Sequence, residues 1–464
     1  MSYRVWSRRA AGALGFFVIA TGVAHAGGFA IQEQSAYGLG SAYAGIAAGG
    51  SLSSMFWNPA TMTQFAGIQS ESALTGIFPH ASNTAGTGST LLSPAFGGTF
   101  GGTGNIGINA VVPASYYSYQ LTPDLWLGLS LTSPFGLSEH FPDNFAGRAY
   151  GGDTSLVSFN GAPTIAYRVN NWLSVAAGVQ VQWMHVNTVQ GIGPIQVPIP
   201  VPPFSFTALG PNIGTLRGDG WGFGYTLGAT FTPWSTTTIG VGYRSAINQK
   251  INGSESLPAP VLGLASPFPV GLGLQSTPGS ANTSLSLPGT LTVSLRQQLT
   301  PQWTALGTFE WTNWSRIGTS PILQPNGSQA IVLNHPVAIS FEYHDGWLAS
   351  GGAEYKWSDA LTVRAGVGFE SSPISDQVRI PLVPDNDRTW LAIGATWTVT
   401  PRLALDFSYS HVFVKDTSIN VVAGNPSYNG TAYVGTVDSH VDIVSVGLKY
   451  RFDTPAPPAV VTKG

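Results

Sequence analysis

Apolar side chains at every second position recur along this chain, and this pattern constrains the fold more than any other feature. From 221 to 231 the odd positions are Trp, Phe, Tyr, Leu, Ala and Phe, whereas the even positions are Gly or Thr. The same alternation occurs at 173–183, 361–369 and 403–409. Because successive side chains of a β-strand point to opposite faces, each segment is predicted to be a strand with one apolar and one small or polar face.

The connections between these segments alternate strictly between short and long. Six short connections contain turn-forming residues, mostly Thr-Pro, and they lie at 121–126, 169–172, 231–234, 299–303, 357–361 and 399–403. Tight turns suit them because Pro fixes φ and donates no ladder hydrogen bond. Counting through this order predicts fourteen strands, at 67–80, 104–120, 123–134, 154–169, 172–187, 218–232, 235–250, 283–299, 302–316, 335–357, 360–371, 388–399, 402–415 and 440–452.

Short turns at one rim, long loops at the other and an even strand count are typical of an outer-membrane β-barrel. The predicted fold class is therefore an all-β membrane protein, a fourteen-stranded antiparallel barrel with its apolar face in lipid. Closure is required because lipid offers no hydrogen bonds to a free sheet edge. Trp residues at the short turns are expected in the interfacial girdle. A soluble β-sandwich is the alternative, and it would have to bury the Trp and Phe of every strand while exposing Gly and Thr.

Composition excludes several other classes of protein. Only 9% of residues are charged and the formal net charge is −3, whereas soluble domains carry about 25% charged residues. Disorder is excluded because 11% of residues are aromatic and the net charge is small. Apolar runs of about 20 residues, which helical membrane proteins need repeatedly, occur at most once. No basic patch indicates nucleic-acid binding, and the absence of Cys excludes disulfides and thiol chemistry.

The two ends of the chain are predicted to lie outside the barrel. Residues 1–26 combine a basic start, a short apolar stretch and the sequence Ala-His-Ala before Gly27, which is typical of a secretory signal peptide. The barrel is expected at 67–452, and a periplasmic tail at 453–464.

Residues 27–66 do not alternate and contain short Ala/Gly-rich stretches. Asn58 is suited to a helix N-cap, with Pro59 at the first helical position. By its length and position the segment is predicted to fold into the lumen as a partly helical plug. A flexible leader in the periplasm is the alternative.

This segment resembles the N-terminal hatch of the FadL-type outer-membrane transporters for long-chain fatty acids and hydrocarbons. The residues that carry the resemblance form a plug motif of Gly28, Phe29, Asn58, Pro59 and Ala60, together with 33–40 and 42–48. Further stretches similar to that family lie at 133–137, 147–148, 313–316 and 383–390. The chain departs from the family at 49–53, where Gly-Gly-Ser-Leu-Ser replaces acidic residues, and in its tail after the terminal aromatic residue.

The resemblance implies passive uptake of hydrophobic compounds across the outer membrane. Two long loops, 193–206 and 257–274, contain almost no charge, and exposed apolar patches usually mark ligand or membrane contact. We expect them to capture apolar molecules, whereas the alternative is that they pack on one another as a lid. The candidate capture residues are Phe204, Phe206, Leu262, Leu264 and Phe268.

Strand parity places nine charged side chains on the lumen face: Arg168, Arg244, Arg296, Glu310, Arg364, Glu370, Asp406, Lys449 and Arg451. Buried charges must be paired, so most are expected to pair with each other or with the plug, and one or two basic groups to hold a ligand carboxylate. The candidate headgroup contacts are Arg148 and Arg388, which lie at strand–loop borders within family-like motifs.

The family's exit is a lateral gap at a kink in the third strand, and the resemblance implies the same here. The third predicted strand carries Gly128 and ends at Pro134, residues suited to a weakened ladder. Gly128 is therefore the candidate gate. The alternative is that its lack of a side chain makes room for the plug.

Catalysis is not indicated. The string Gly-Thr-Gly-Asn-Ile-Gly at 102–107 precedes a strand and not a helix, which excludes a dinucleotide site. No G-x-S-x-G elbow occurs, and the 8 His residues lack metal-ligand spacing. We expect no catalytic residue, metal or cofactor. A general porin for polar solutes is the main alternative function, followed by an outer-membrane phospholipase.

The expected location is the outer membrane of a Gram-negative bacterium. The expected partners are a hydrophobic small-molecule substrate, outer-membrane lipid and lipopolysaccharide, and the barrel-assembly machinery during biogenesis. No nucleic acid is expected, and the protein is predicted to be a monomer.

Overall fold

A closed antiparallel barrel surrounds a small plug. The computed structural model describes residues 27–92, 100–192, 195–197, 206–208, 212–256, 279–323, 327–328, 331–332, 335–336 and 338–453. The predicted signal peptide and all of the predicted tail except Asp453 lie outside the described residues.

In the described part of the chain, eighteen strand segments form one sheet, and they make fourteen barrel strands because four of the strands are interrupted. The strands are β1 (Ile68–Ala85), β2 (Ala110–Thr122), β3 (Leu125–Thr132 and Gly136–Glu139), β4 (Thr154–Arg168), β5 (Leu173–Ile192), β6 (Asn212–Trp234), β7 (Thr237–Arg244 and Ile247–Ser256), β8 (Gly279–Leu287 and Thr290–Gln298), β9 (Trp303–Thr312), β10 (Gly346–Lys356), β11 (Leu361–Ser371), β12 (Arg388–Thr400), β13 (Leu403–Val414 and Thr417–Val421) and β14 (Tyr433–Arg451).

Each strand pairs antiparallel with its neighbours in sequence, and β14 returns to pair with β1 along its length, from Gln69 opposite Arg451 to Ala85 opposite Gly435. This seam closes the sheet, so the lipid-facing wall has no free edge. The predicted fourteen-stranded barrel is confirmed.

The two faces of the wall follow the alternation of the sequence. Phe223 on β6 points outward and is 67% exposed, whereas Gln180 on β5, which pairs with the next residue, Gly224, points inward and is buried. Trp234 is 69% exposed at a short turn, as expected for an interfacial girdle. Trp126 differs. It points inward and donates its indole N–H to the Phe65 carbonyl at 2.8 Å, because the outward-facing position on this strand is taken by the next residue, Leu127.

The strand predicted at 335–357 starts later than expected. The barrel strand β10 begins only at Gly346, and Glu342 has a positive φ of 46° that breaks an extended run. Before it, the short pieces His335–Pro336 and Ala338–Ser340 pair with Ile331–Val332 and Thr319–Pro321 outside the barrel ladder. This part of the chain nevertheless contributes a single barrel strand, as predicted.

Residues 27–66 lie in the lumen as short helical turns. They comprise the helix Ala36–Leu39 and the 3-10 helices Ile46–Ala48, Leu52–Phe56 and Pro59–Gln64, and nearly all of their side chains are buried. Two further 3-10 turns, Thr90–Leu92 and Trp314–Arg316, lie between barrel strands. Within the described ranges, no helix is long and apolar enough to cross a membrane.

Inward glycines let the plug backbone touch the wall. A Cβ on Gly240 of β7 would lie 1.8 Å from the Ala47 carbonyl oxygen, and one on Gly366 of β11 would lie 2.0 Å from the Ser41 carbonyl oxygen. Both distances are far inside van der Waals contact, so a side chain at either position would push the plug away from the wall.

Inward charges pair with each other and with the plug. Glu354 on β10 accepts hydrogen bonds from Arg296 of β8 at 2.6 Å and from the Tyr37 hydroxyl of the plug at 2.6 Å. Arg364 and Asp406 continue this network on β11 and β13, with Lys449 of β14 at 2.8 Å from Asp406. Such pairing offsets part of the cost of removing these charges from water.

We expect Asn58→Ala to loosen the plug while leaving the barrel intact. The Asn58 amide donates to the carbonyls of Ala47 at 2.7 Å and Ala229 at 2.9 Å, and its oxygen accepts from the Ala60 N–H at 3.0 Å. Losing this cap together with the bond to the buried Ala47 carbonyl costs about 2–4 kcal/mol. Hydrogen–deuterium exchange at 46–64 should therefore rise.

The matched control is Asn248→Ala, because Asn248 is an exposed asparagine on β7 outside the plug. Unchanged exchange at 46–64 in Asn58→Ala would contradict the cap's role.

Candidate lumen pocket and lateral opening

Strand β3 is interrupted at 133–135. Its first segment pairs with β2 from Ser115 to Thr122, and its second segment pairs with β4 but has no ladder with β2 in the described part of the chain. A single bridge between Gly107 and Glu139 is the exception. Residues 110–114 of β2 therefore face a gap in the wall.

The beginning of the plug supplies the hydrogen bonds missing at this interruption. Ile31 N–H donates to the Pro134 carbonyl at 2.8 Å, and Gly136 N–H donates to the Phe29 carbonyl at 3.0 Å, so that Ala30 lies opposite Phe135 as in a short antiparallel ladder. Buried backbone groups need partners. The plug segment 29–31 thus takes the place of a strand edge.

The Gln34 side chain completes this contact. Its amide donates to the Ser133 carbonyl at 2.8 Å, and its oxygen accepts from the Ser133 N–H at 3.1 Å. The Tyr116 hydroxyl of β2 donates to the Gln34 carbonyl at 2.8 Å. Polar groups of plug, β2 and β3 are therefore satisfied by each other at one end of the gap.

An aromatic cluster holds the plug segment from inside. The Phe29 ring lies 5.0 Å from Trp314, 6.1 Å from Phe135 and 6.2 Å from Phe341, measured between ring centroids. Gly28 has φ +68°, and a Cβ there would lie 2.9 Å from the Trp314 ring, so only glycine fits this turn. The cluster fixes where the segment 29–31 meets the wall.

Two cavities meet at this segment. A small lateral cavity lies in the gap, between Val111, Val112 and Pro113 of β2 on one side and Phe135 of the interruption in β3 on the other. A small lumen pocket, partly open, lies behind the plug segment. Ile31 and Phe135 line both cavities, so these two side chains separate the lumen from the lateral gap.

The lumen pocket combines apolar walls with one buried cation. Arg244 of β7 lies with its guanidinium 4.2 Å from the centroid of the Phe56 ring. It donates to the Phe56 carbonyl at 3.2 Å and to the Gln180 amide oxygen. A guanidinium in this position offers charge-assisted hydrogen bonds to an anionic group.

Glu310 lies on the opposite side of the same pocket, and both of its carboxylate oxygens already accept hydrogen bonds. It accepts from the Gln32 amide of the plug at 2.6 Å and from the Thr292 hydroxyl at 2.7 Å. The pocket is thus lined by polar and apolar residues in about equal number, a mixture that suits an amphipathic small molecule.

The two predicted headgroup arginines lie outside both cavities. Arg388 is buried, paired with Asp385 and 3.9 Å from Glu370. Arg148 donates to the Asp143 carbonyl at 2.6 Å in the loop region before β4. The pocket contains Arg244 instead, which the sequence placed on the lumen face without singling it out.

Gly128, the predicted gate, lies where the ladder is unbroken. It pairs with Ser118 on one side and Thr164 on the other. A Cβ there would lie 2.5 Å from Met55 and 2.7 Å from Met62 of the plug. Its position therefore matches the alternative prediction of room for the plug, and the interruption lies at 133–135.

The other predicted residues are distributed over plug and loops. Asn58, Pro59 and Ala60 dock the far side of the plug on β6. Phe206 begins a short strand, Phe206–Ala208, paired with Ile195–Val197. The remaining capture residues lie outside the described residues: Phe204, Leu262, Leu264 and Phe268.

A plugged fourteen-stranded barrel with an interrupted wall defines a class of outer-membrane transport protein. Residues 17–452 match the family described as outer membrane protein transport protein (OMPP1/FadL/TodX), so the chain belongs to this family. The resemblance drawn from the sequence and the outer-membrane location are confirmed, and the protein is a transport protein and not an enzyme.

Relatives cover nearly the whole chain. The long-chain fatty acid transport protein of Salmonella typhi is 28% identical, over 90% of this chain and 95% of its own. The 47 kDa outer membrane protein of Pasteurella multocida is 30% identical, over 85% and 89% respectively. Among solved structures, a FadL homologue from Pseudomonas aeruginosa is similar with a TM-score of 0.77 and 24% identity, over 92% of this chain and 100% of that one. The toluene transporter TodX of P. putida has a TM-score of 0.64 and 16% identity, over 87% and 95%.

Proposed function

We propose that this protein takes up long-chain fatty acids passively across the outer membrane, binding them in the lumen pocket and releasing them sideways through the gap beside β3. The observation that carries this proposal is that Ile31 and Phe135 line both the lumen pocket and the lateral cavity. A small movement of the plug segment 29–31 would join the two spaces.

The pocket chemistry favours an amphipathic ligand. Arg244 offers a guanidinium to a carboxylate, and Phe56 and Ile247 offer apolar contacts to a hydrocarbon chain. The relative from Salmonella typhi, named for long-chain fatty acid transport, supports the same cargo. Hydrocarbons are the second candidate, because the lateral cavity is lined chiefly by apolar side chains.

The proposed route has three steps. Apolar molecules are captured at the loops 193–206 and 257–274 and pass to the lumen pocket. The plug segment 29–31 then leaves the interruption in β3. The ligand exits into the membrane between β2 and β3, at 133–135, rather than at Gly128.

The remaining assignments are also proposals. The chain would comprise a signal peptide at 1–26, a plug at 27–66, the barrel at 67–452 and a periplasmic tail at 453–464. It would act as a monomer, with lipopolysaccharide around its wall and the barrel-assembly machinery as its partner during biogenesis. The route needs no energy source beyond the concentration gradient of the ligand.

We expect proteoliposomes carrying this protein not to swell in sugar solutions, because the plug fills the lumen with side chains such as Leu39, Ile46 and Met62 that are fully buried. The same preparation should bind a radiolabelled long-chain fatty acid. Rapid sugar entry would instead support the alternative of a general porin. A trimeric porin of known swelling rate provides the positive control.

A further inference from the structure

The backbone nitrogen of Gly27 lies among buried carboxylates on the barrel wall. The Gly27 N–H donates to Oε1 of Glu370 on β11 at 2.6 Å. The neighbouring Gly28 N–H donates to Oδ2 of Asp385, in the loop before β12, at 3.1 Å. Both carboxylates are buried, so the beginning of the plug is held at a fixed point of the wall.

Glu370 and Asp385 share one ion-pair partner, Arg388. Arg388 pairs with Asp385 and lies 3.9 Å from Oε2 of Glu370, to which the Trp390 indole also donates at 3.1 Å. The Glu33 carboxyl of the plug is buried close enough to interact with Glu370 and Arg388, and burial raises the pKa of Glu33 to about 7. A second buried arginine, Arg379, donates to the Asp385 backbone carbonyl at 2.8 Å but forms its ion pair with Asp376.

A buried carboxylate is costly unless cations and hydrogen-bond donors contact it directly. A Cβ on Gly27 would lie 2.8 Å from Glu370 Oε1, so a side chain at this residue would require the carboxylate to move. The cluster therefore fits a bare backbone nitrogen, and a positively charged nitrogen would fit it better than a neutral amide.

We propose that Glu370 and Asp385 form a receptor for the α-ammonium group that signal-peptide cleavage creates at Gly27. A signal peptidase hydrolyses the bond between the Ala26 carbonyl carbon and the Gly27 nitrogen with one water molecule. Ala26 then ends in a carboxylate, and the Gly27 amine takes up a proton. The resulting ammonium has three N–H donors where the amide had one, and it brings a positive charge into direct contact with Glu370.

Cleavage of the signal peptide thereby strengthens the attachment of the plug to the barrel wall. In the precursor, Gly27 offers one amide donor and carries the signal peptide. In the mature chain, an ion pair to Glu370 anchors the residue immediately before Gly28 and Phe29, which enter the aromatic cluster at the interruption in β3. The inference concerns the wall contact of the mature terminus and does not depend on which ligand is carried.

The test measures how fast the α-amine reacts with an N-hydroxysuccinimide ester at pH 7, in the mature protein purified in detergent. An ordinary α-amine has a pKa of about 7.7–8.0 and reacts readily there. Intact mass spectrometry first establishes whether the chain begins at Gly27, and peptide mapping then reads the label at that residue. We expect the folded protein to be labelled at least about tenfold more slowly than the same protein unfolded.

Two variants should remove this protection. In Glu370→Gln the ion pair is lost. A Ser inserted between Ala26 and Gly27 leaves the wall unchanged but displaces the ammonium by about 3.5 Å. Both are expected to bring labelling within about threefold of the unfolded rate. Glu354→Gln is the matched control, because Glu354 is a buried wall carboxylate that contacts the plug at Tyr37 but not Gly27, and it should keep the terminus protected.

Three results would each overturn the proposal: a mature chain that does not begin at Gly27, an α-amine labelled in the folded protein as fast as in the unfolded one, or an insertion variant that stays fully protected. If Glu370→Gln fails to fold, the insertion variant decides, since its barrel is unaltered.

Discussion

Oxidising the double variant Ala30→Cys/Phe135→Cys should stop uptake, and adding a reductant should restore it. Ala30 and Phe135 face each other as a bridge pair whose flanking residues exchange the hydrogen bonds. Such non-hydrogen-bonded pairs have Cα atoms about 4.5 Å apart, which suits a disulfide. With the plug segment fastened to β3, the lumen pocket and the lateral cavity cannot join, and we expect uptake of a labelled fatty acid to fall at least about tenfold.

The chain is favourable for this experiment because its sequence contains no Cys. A second pair, Ala42→Cys/Gly368→Cys, is the control: a Cβ on Gly368 would lie 3.6 Å from the Ala42 Cβ, within the range for a disulfide of about 3.5–4.5 Å. It ties the plug to β11 away from the opening, so oxidation should leave uptake unchanged. Equal transport by the oxidised and reduced Ala30/Phe135 pair would rule out the sideways exit.

Replacing Arg244 by Met should separate the two candidate cargoes. Removing a charge-assisted hydrogen bond to a carboxylate costs about 1.5–3 kcal/mol, which corresponds to a weakening of fatty-acid binding by about tenfold to a hundredfold. An alkane of the same chain length has no group for Arg244 to bind, so its affinity should change less than about twofold. Both affinities can be measured by displacement of a fluorescent fatty acid.

Arg168→Met is the matched control for this comparison. Arg168 is also an inward arginine in contact with the plug, where it donates to the Thr63 carbonyl at 2.5 Å, but it does not line the lumen pocket. If Arg244→Met binds fatty acids as tightly as the unaltered protein, the carboxylate is held elsewhere and hydrocarbons become the better candidate.

The wall of this protein could be predicted from sequence because its signal is local and repeated. Each strand carries its own alternation, and each short turn carries its own Pro, Asn or Asp, so an error in one strand does not change the count. The start of β10 was missed because Phe341 and Tyr343 continue the apolar spacing while turning inward to the Trp314 cluster. Their partner lies in another part of the sequence, which alternation does not show.

The pocket was harder to predict because it depends on contacts across the lumen. Parity correctly indicated that Arg244 and Arg388 both point inward, but not that Arg388 would be occupied by Asp385 and Glu370. The interruption of β3 has a sequence signal in Pro134, which donates no hydrogen bond. What replaces the missing ladder, the plug segment 29–31, lies about a hundred residues earlier and has no strand pattern of its own.

The inward glycines of the wall contact particular backbone atoms of the plug, so the sequences of plug and wall have to change together during evolution. Gly240 and Gly366 each leave room for one particular plug carbonyl, on β7 and β11, which are four strands apart in the barrel. In a plug transplanted from a distant relative, the backbone carbonyls would not lie opposite these glycines unless its turns had the same spacing. Chimeric proteins should therefore tolerate exchanged extracellular loops far more readily than exchanged plugs.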